Sequence, residues 1–183
     1  MRKMIDIYIF YIDETMHLGR QETAKLAEQK FIGYLQKKHQ FSQTTVRICK
    51  NYRGKPYLKD HPQFHISRSY CPLCVVYGFG ESPMGVDVEV IREYNKFLAD
   101  QFYCTSELND TSPEEWTRLW TAKEAFAKYL GTGLSVLRYN RTPVKELIEK
   151  NNLTLTDIKA NRYMVCSLIA GKDHVDITED TLI

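Results

Sequence analysis

The chain has 183 residues, of which 43% are hydrophobic and 26% are charged, and its formal net charge is +2. These values are ordinary for a soluble globular domain, and they exclude both a disordered chain and a nucleic-acid binder that relies on bulk positive charge. An odd set of five cysteines argues against a disulfide framework, and no run approaches the ~20 apolar residues of a transmembrane helix, so we expect a cytoplasmic protein without a membrane partner.

Strand and helix signals alternate in the N-terminal part of the chain. Residues 3–12 are rich in Ile, Tyr and Phe and predict a strand, and the acidic residues Asp6 and Asp13 argue against a signal peptide. Apolar residues at helical spacing predict an amphipathic helix over residues 20–38. Short strands are predicted around a basic loop at residues 51–56, namely over 44–49, 56–58, 64–67 and 74–79.

The C-terminal part begins with a predicted strand over residues 84–91 and continues with helices over 94–102, 113–130 and 143–150. Residues 162–170 and 174–178 predict a final hairpin. A faint similarity between Met4–Tyr8 and Gly85–Glu89 suggests two similar α+β halves. We therefore divide the chain into residues 1–83 and residues 84–183.

Three carboxylates in the C-terminal half are candidate ligands for a hard cation. Asp87 and Glu89 are two residues apart on a predicted strand, so their side chains project from the same face. Two like charges on an apolar strand need a cation, unless the strand is a solvated edge. Magnesium takes one or two carboxylates with waters and phosphate oxygens, and Glu124 of the predicted helix would complete the site. Glu107 is either a surface cap or a further carboxylate that acts as general base.

The predicted helix over residues 113–130 has a lysine, Lys123, within its apolar face. Glu124 and Lys128 lie one turn apart, and a surface ion pair between them is the simplest interpretation. The alternative is that this helix meets a polyanion, with Lys123 and Lys128 as donors.

Two segments of the N-terminal half carry groups that suit phosphate. Lys55 lies on a turn, and Ser67, Arg68 and Ser69 offer hydroxyls and a guanidinium together. Plain polar turns contain the same residue types, so neither segment alone identifies a phosphate-binding site.

Cys71 and Cys74 form a C-x-x-C motif, which is typical of redox sites, and with His61 and His65 they could bind zinc. Cys74 runs into a predicted strand rather than a helix. Two buried cysteines that behave as small apolar residues are therefore the simpler interpretation.

Taken together, four segments in the same order resemble the Sfp-like class of 4′-phosphopantetheinyl transferases, namely Gly54–Leu58, Phe64–Ser69, Gly85–Glu89 and Trp120–Lys128. The resemblance implies an α+β fold of two pseudo-symmetric halves with the active site at their junction. It implies transfer of the phosphopantetheine arm of coenzyme A to a serine of an apo acyl or peptidyl carrier protein, with release of 3′,5′-ADP.

The resemblance also implies roles for individual residues. It assigns magnesium to Asp87, Glu89 and Glu124, and catalysis to Glu107, Glu124 and Lys128. It assigns coenzyme A to Lys55, Ser67, Arg68, Lys123 and Lys128. With both halves in one chain we expect a monomer that binds no nucleic acid.

The family usually has Asn where His65 stands and His where Arg68 stands. These departures are the hints for one alternative, a catalytically impaired paralogue that still binds carrier proteins. A second alternative is a magnesium-dependent phosphohydrolase that acts on nucleotides with the same carboxylates and needs no carrier.

Overall fold

The computed structural model describes residues 3–13, 15, 17–41, 46–109, 112–139 and 142–182. The strands are β1 (Met4–Ile12), β2 (Ile48–Lys50), β3 (Pro56–Leu58), β4 (His65–Cys71), β5 (Cys74–Gly80), β6 (Met84–Val90), β7 (Thr154–Ile158), β8 (Met164–Ala170) and β9 (His174–Leu182). The helices are α1 (Arg20–His39), α2 (Lys96–Phe102), α3 (Pro113–Leu130), α4 (Ser135–Tyr139) and α5 (Val144–Lys150), with a short 3-10 helix at Thr105–Glu107.

The strands form two sheets, one of six strands in the order β2-β3-β4-β5-β1-β9 and one of three in the order β6-β8-β7. Strand β1 shows why the larger sheet is buried on both faces. Its residues Ile5, Ile7 and Ile9 point to one side, while Tyr8 and Phe10 point to the other. All five side chains are at most 1% exposed, so apolar groups cover both sides of this strand.

The two sheets pack face to face, with a helix on each outer surface. The isoleucines of β1 share a core cluster with Val86 and Val88 of β6. On the other side of the larger sheet, Tyr8 packs against Phe31 of α1, and on the outer face of the smaller sheet α3 buries Trp116 and Phe126. The layered α+β architecture confirms the predicted fold class.

The predicted C-terminal hairpin is wrong. Strand β8 pairs with β6 and β7, whereas β9 crosses to the larger sheet and runs parallel to β1. A turn at residues 171–173 fits a hairpin locally, but the choice of partner depends on which surfaces can be buried. Val175 and Leu182 of β9 pack into the two cores that flank β1. The division at residues 83/84 stays a prediction, with β9 as a strand of the C-terminal half in the sheet of the N-terminal half.

Other differences are smaller. Helix α4 and strand β7 were not predicted, Pro143 precedes α5 as its N-cap instead of opening it, and residues 44 and 45 of the predicted strand over 44–49 lie outside the described residues. Gly131 follows the predicted helix end at residue 130 and ends α3 with φ of +67°. Within the described ranges, no helix is both long and apolar enough to cross a membrane.

Strand β6 and helix α3 are in direct backbone contact at Gly85. A Cβ atom at this position would lie 1.9 Å from the carbonyl oxygen of Ala125 and 2.5 Å from the amide nitrogen of Tyr129. Only a residue without a side chain permits this approach. The contact sets the position of α3 beside the acidic residues that follow Gly85 on β6.

Candidate active site

A cleft of about 220 Å³ opens between the loop that precedes β3, strand β4 and the C-terminal part of α3. Five residues of the predicted site line it, and both halves of the chain contribute: Lys55, Ser67, Arg68, Glu124 and Lys128. Arg53 adds a further cation to the lining. The cleft therefore combines several cations with one carboxylate at the place where the two sheets meet.

Asp87 lies beside the cleft in a closed set of contacts with Ser69 and Lys128. The Lys128 Nζ atom donates to Asp87 Oδ1 at 2.6 Å and to Ser69 Oγ at 2.9 Å, and the Ser69 hydroxyl donates to the same Asp87 oxygen at 2.7 Å. Asp87 is only 1% exposed. Its second oxygen, Oδ2, is buried and has no hydrogen-bond partner among the described residues. A buried carboxylate thus keeps one oxygen available for a ligand.

The other two predicted metal ligands are electrostatically linked to Asp87. Burial, with the negative charge of Asp87, raises the pKa of Glu124 to about 7. Burial also raises the pKa of Glu89, against the opposing charge of Arg92, whose Nη1 lies 3.9 Å from Glu89 Oε2. The side chains are not arranged as a finished metal site: across the described part of the chain, no three His, Cys, Asp or Glu side chains form a coordinating group.

The raised pKa of Glu124 predicts a pH-dependent stability. Because the pKa in the folded protein, about 7, exceeds its ordinary value of 4.5, the stabilising contribution is complete below about pH 4.5 and is lost as the pH rises through 7. In the presence of a chelator, we expect Glu124→Gln to match the wild type at pH 4.5 and to exceed it by about 2 kcal/mol at pH 8. Urea unfolding at the two pH values measures this difference, and a gap that does not change with pH would contradict it.

The remaining cleft residues connect the two halves of the chain. Lys55 Nζ donates to the carbonyl oxygen of Tyr129 in the last turn of α3 at 3.0 Å, and burial lowers the pKa of this lysine. Ser67 Oγ accepts the backbone N–H of Val86 at 2.9 Å. Arg68 Nη1 lies 3.4 Å from Glu28 Oε2. Two predicted phosphate contacts therefore also join the N-terminal half to β6 and α3.

Lys123 and Glu107 do not line this cleft, and their predicted roles in coenzyme A binding and catalysis stay predictions. Lys123 is 1% exposed, and its Nζ donates to Glu107 Oε2 at 2.8 Å and lies 4.9 Å from the centre of the Tyr103 ring. Both oxygens of Glu107 are engaged, because Oε1 accepts the N–H of Val144 and Oε2 also accepts that of Cys104. Lys123 therefore cannot contact coenzyme A, and Glu107 cannot accept a proton from a ligand, without breaking a buried ion pair.

This ion pair should support the fold. We expect Lys123→Met to lower the free energy of unfolding by about 3 kcal/mol, because it leaves the buried Glu107 carboxylate without its cation. Adding Glu107→Gln should recover part of the loss, since the double variant buries no unpaired charge. Urea unfolding of the single and double variants measures the coupling. A double variant less stable than Lys123→Met would contradict this role.

The zinc and redox alternatives find no support in the cysteine positions. Cys71 and Cys74 face each other at the end of the β4–β5 hairpin, and both are buried in the core between the sheets beside Met164. His61 instead packs against Phe41. The cysteines thus behave as small core residues, as the simpler interpretation predicted.

Ser69 and Arg92 also belong to the site. Ser69 was predicted only as a hydroxyl that suits phosphate, and Arg92 was not predicted. Ser69 follows Ser67 by two positions on β4, and this strand spacing places both side chains on the face toward β6. Arg92 follows Glu89 by three positions, and its guanidinium lies 5.4 Å from the centre of the Trp120 ring. The strand spacing could have placed Ser69 on the same face as Ser67, whereas nothing in the sequence distinguishes Arg92 from a surface arginine.

Comparison with known proteins places this geometry in a family. Residues 83–168 match the family model described as the 4′-phosphopantetheinyl transferase superfamily. This segment belongs to that superfamily. It contains Asp87, Glu89, Glu124 and Lys128, so the phosphopantetheinyl transferase segment supplies the acidic side of the site, while β4 and the loop before β3 supply the basic side.

Individual relatives point to the same family. The chain is 28% identical over 109 residues to 4′-phosphopantetheinyl transferase ffp of Bacillus subtilis, over 56% of this chain and 49% of the relative. It is 34% identical over 89 residues to psf-1 of Bacillus pumilus, over 45% of this chain and 38% of the relative. It is 29% identical over 125 residues to gsp of Aneurinibacillus migulanus, over 64% and 49%. The chain spans about half the length, or less, of these relatives.

Proposed function

We propose that the protein transfers the 4′-phosphopantetheine arm of coenzyme A to a serine of an apo acyl or peptidyl carrier protein and releases 3′,5′-ADP. One observation carries this proposal: Lys55, Ser67, Arg68 and Lys128 line one cleft with Glu124, beside the acidic residues of a phosphopantetheinyl transferase segment. A cationic cleft next to carboxylates suits a pyrophosphate that must be held and then divided.

The basic residues of the cleft are the proposed contacts for coenzyme A phosphates. Lys55 and Lys128 supply ammonium groups, and Ser67 supplies a hydroxyl. Arg68 replaces the histidine usual in the family, yet it also lines the cleft, and its planar guanidinium can pair with phosphate through two hydrogen bonds. The departure at this position therefore preserves a donor for an anionic ligand.

Magnesium fits the acidic side of the site, with Asp87, Glu89 and Glu124 as its proposed ligands. Asp87 offers a buried oxygen without a hydrogen-bond partner in the described part of the chain. Burial raises the pKa values of Glu89 and Glu124, and the charge of Asp87 raises both further, so a divalent cation would relieve this repulsion. When bound, magnesium supplies positive charge that neutralises the pyrophosphate and the charge that develops on the leaving group.

The proposed reaction forms one bond and breaks one. The serine oxygen attacks the phosphorus that carries the pantetheine arm, and the bond from this phosphorus to the bridging pyrophosphate oxygen breaks. The electron pair leaves with 3′,5′-ADP, and Lys128 is placed to stabilise its phosphate oxygens. The serine proton goes to a carboxylate. Of the two glutamates predicted for catalysis, only Glu124 lines the cleft. We therefore propose that one oxygen of Glu124 accepts this proton, in place of Glu107, while its other oxygen serves magnesium.

The cell compartment and the oligomeric state are also proposals. All five cysteines, at positions 49, 71, 74, 104 and 166, are free thiols, which is compatible with the reducing cytoplasm. We propose that the protein acts there as a monomer, because both predicted halves of the chain contribute residues to the cleft.

Release of 3′,5′-ADP tests the reaction class. Coenzyme A and magnesium are incubated with the protein, with and without apo carrier protein, and the nucleotide products are separated by chromatography. We expect 3′,5′-ADP only when the carrier is present. Release at the same rate without a carrier would favour the phosphohydrolase, and no release by folded protein with several carriers would favour the impaired paralogue.

A further inference from the structure

Two cations of the chain already occupy the acidic side of the site. Lys128 Nζ lies 2.6 Å from Asp87 Oδ1, closer than in an ordinary N–H···O bond. Ser69 Oγ forms hydrogen bonds with both groups. Arg92 lies beside Glu89 at 3.9 Å. Its Nε and Nη2 atoms are buried and lack hydrogen-bond partners among the described residues. Lys128 is thus firmly paired, whereas Arg92 is only loosely paired.

The charges of these groups decide what else the site accepts. When all three carboxylates are ionised, Asp87, Glu89 and Glu124 outnumber the cations of Lys128 and Arg92 by one. A divalent cation alone would leave the site with one excess positive charge and would meet the ammonium of Lys128 at the same carboxylate. A divalent cation together with a pyrophosphate diester, which carries two negative charges, restores the original net charge. Charge balance therefore favours joint binding of the two ligands.

We propose that Lys128 competes with the divalent cation for Asp87, and that the pyrophosphate of coenzyme A ends this competition by accepting Lys128 as its own donor. The inference rests on the proposed function, because it assumes that coenzyme A and the cation share this site. Lys128 keeps an anionic partner in this exchange, since it passes from the carboxylate of Asp87 to a phosphate oxygen. The cation and coenzyme A therefore promote each other's binding, and by thermodynamic reciprocity each raises the affinity of the other by the same factor.

The matched control for Lys128 is Lys55. Both lysines line the same cleft, but Lys55 Nζ donates to the carbonyl oxygen of Tyr129, whereas Lys128 is paired with a carboxylate. Replacement of either lysine by glutamine removes one positive charge from the cleft. Only the replacement of Lys128 removes a cation that is paired with Asp87, so the two variants separate competition at this carboxylate from general electrostatics.

The test is a titration with Mn²⁺, which shares the oxygen-ligand preference of magnesium, followed by the electron paramagnetic resonance signal of the free ion. For the wild type we expect coenzyme A to raise the Mn²⁺ affinity ~100-fold. Without coenzyme A, Lys128→Gln should bind Mn²⁺ ~10-fold more tightly than the wild type, and Lys55→Gln should differ by less than ~3-fold. Coenzyme A should then raise the affinity of Lys128→Gln by less than ~10-fold.

Two results would overturn the proposal in different ways. A wild type that binds Mn²⁺ with coenzyme A, next to a folded Lys128→Gln of unchanged Mn²⁺ affinity, would refute the competition and leave the proposed function intact. A wild type that binds coenzyme A but no Mn²⁺ would refute the metal site and the competition together. Ser69→Ala provides a second variant, because it loosens Lys128 from Asp87 while keeping every charge, and it should raise Mn²⁺ affinity ~3-fold.

Discussion

Replacing Gly85 with alanine should unfold the protein or displace helix α3. The new methyl carbon would lie 1.9 Å from the carbonyl oxygen of Ala125, well inside any contact that real atoms make, and a helix backbone cannot rotate away as a side chain can. We expect a loss of more than ~3 kcal/mol in the free energy of unfolding, measured by urea denaturation. Any folded protein that remains should lose transfer activity, because α3 carries Glu124 and Lys128.

Gly33 in the middle of α1 is the matched control, since a Cβ atom there would meet nothing within 4 Å. Gly33→Ala should raise the free energy of unfolding by about 0.5–1 kcal/mol, as expected for an exchange of glycine for alanine inside a helix. If Gly85→Ala were as stable as the wild type, β6 and α3 would not be in backbone contact.

Asp87→Asn should abolish most of the activity while preserving the fold. Asparagine has nearly the same shape and keeps an oxygen that can accept from Ser69, but it lacks the negative charge that pairs with Lys128 and would hold a cation. We expect kcat/KM for transfer to fall by about 10³-fold. The measurement is the rate of carrier modification at saturating magnesium, alongside a circular dichroism spectrum that matches the wild type.

Asp176→Asn makes the same chemical change away from the cleft. Asp176 lies on β9 and pairs with Lys38 of α1, so it too is a carboxylate with a lysine partner. Its replacement should leave kcat/KM within ~2-fold of the wild type, because exposed ion pairs contribute little. If both variants lost activity equally, the effect at Asp87 would reflect stability rather than a role in the site.

The elements predicted best from the sequence are those whose pattern is local. Strand β1 and helices α1 and α3 were predicted within about two residues, because a period of two or 3.6 residues is visible within a single element. The pairing of β9 with β1 was missed, because the two strands are distant in sequence and the turn before β9 fits a hairpin equally well. The close contact at Gly85 was also missed, since a glycine in a strand does not indicate which backbone lies against it.

The same contrast between local and long-range features applies to the residues of the site. The spacing of Asp87 and Glu89 on β6 predicts that both side chains project from one face. The position of Lys123 within the apolar face of the predicted helix agrees with its burial. The helix pattern does not show which carboxylate pairs with each lysine. Lys123 meets Glu107, which comes from a separate 3-10 helix, and Lys128 meets Asp87 rather than Glu124. Each partner is set by the packing of elements that are remote in sequence.

The central claim is tested most directly by the intact mass of an apo carrier protein after incubation with this protein, coenzyme A and magnesium. The account predicts a mass increase of one phosphopantetheine group, located on a single serine, and no increase when a chelator is added or when Asp87→Asn replaces the wild type. An unchanged carrier mass with folded wild-type protein, for several acyl and peptidyl carriers, would contradict it.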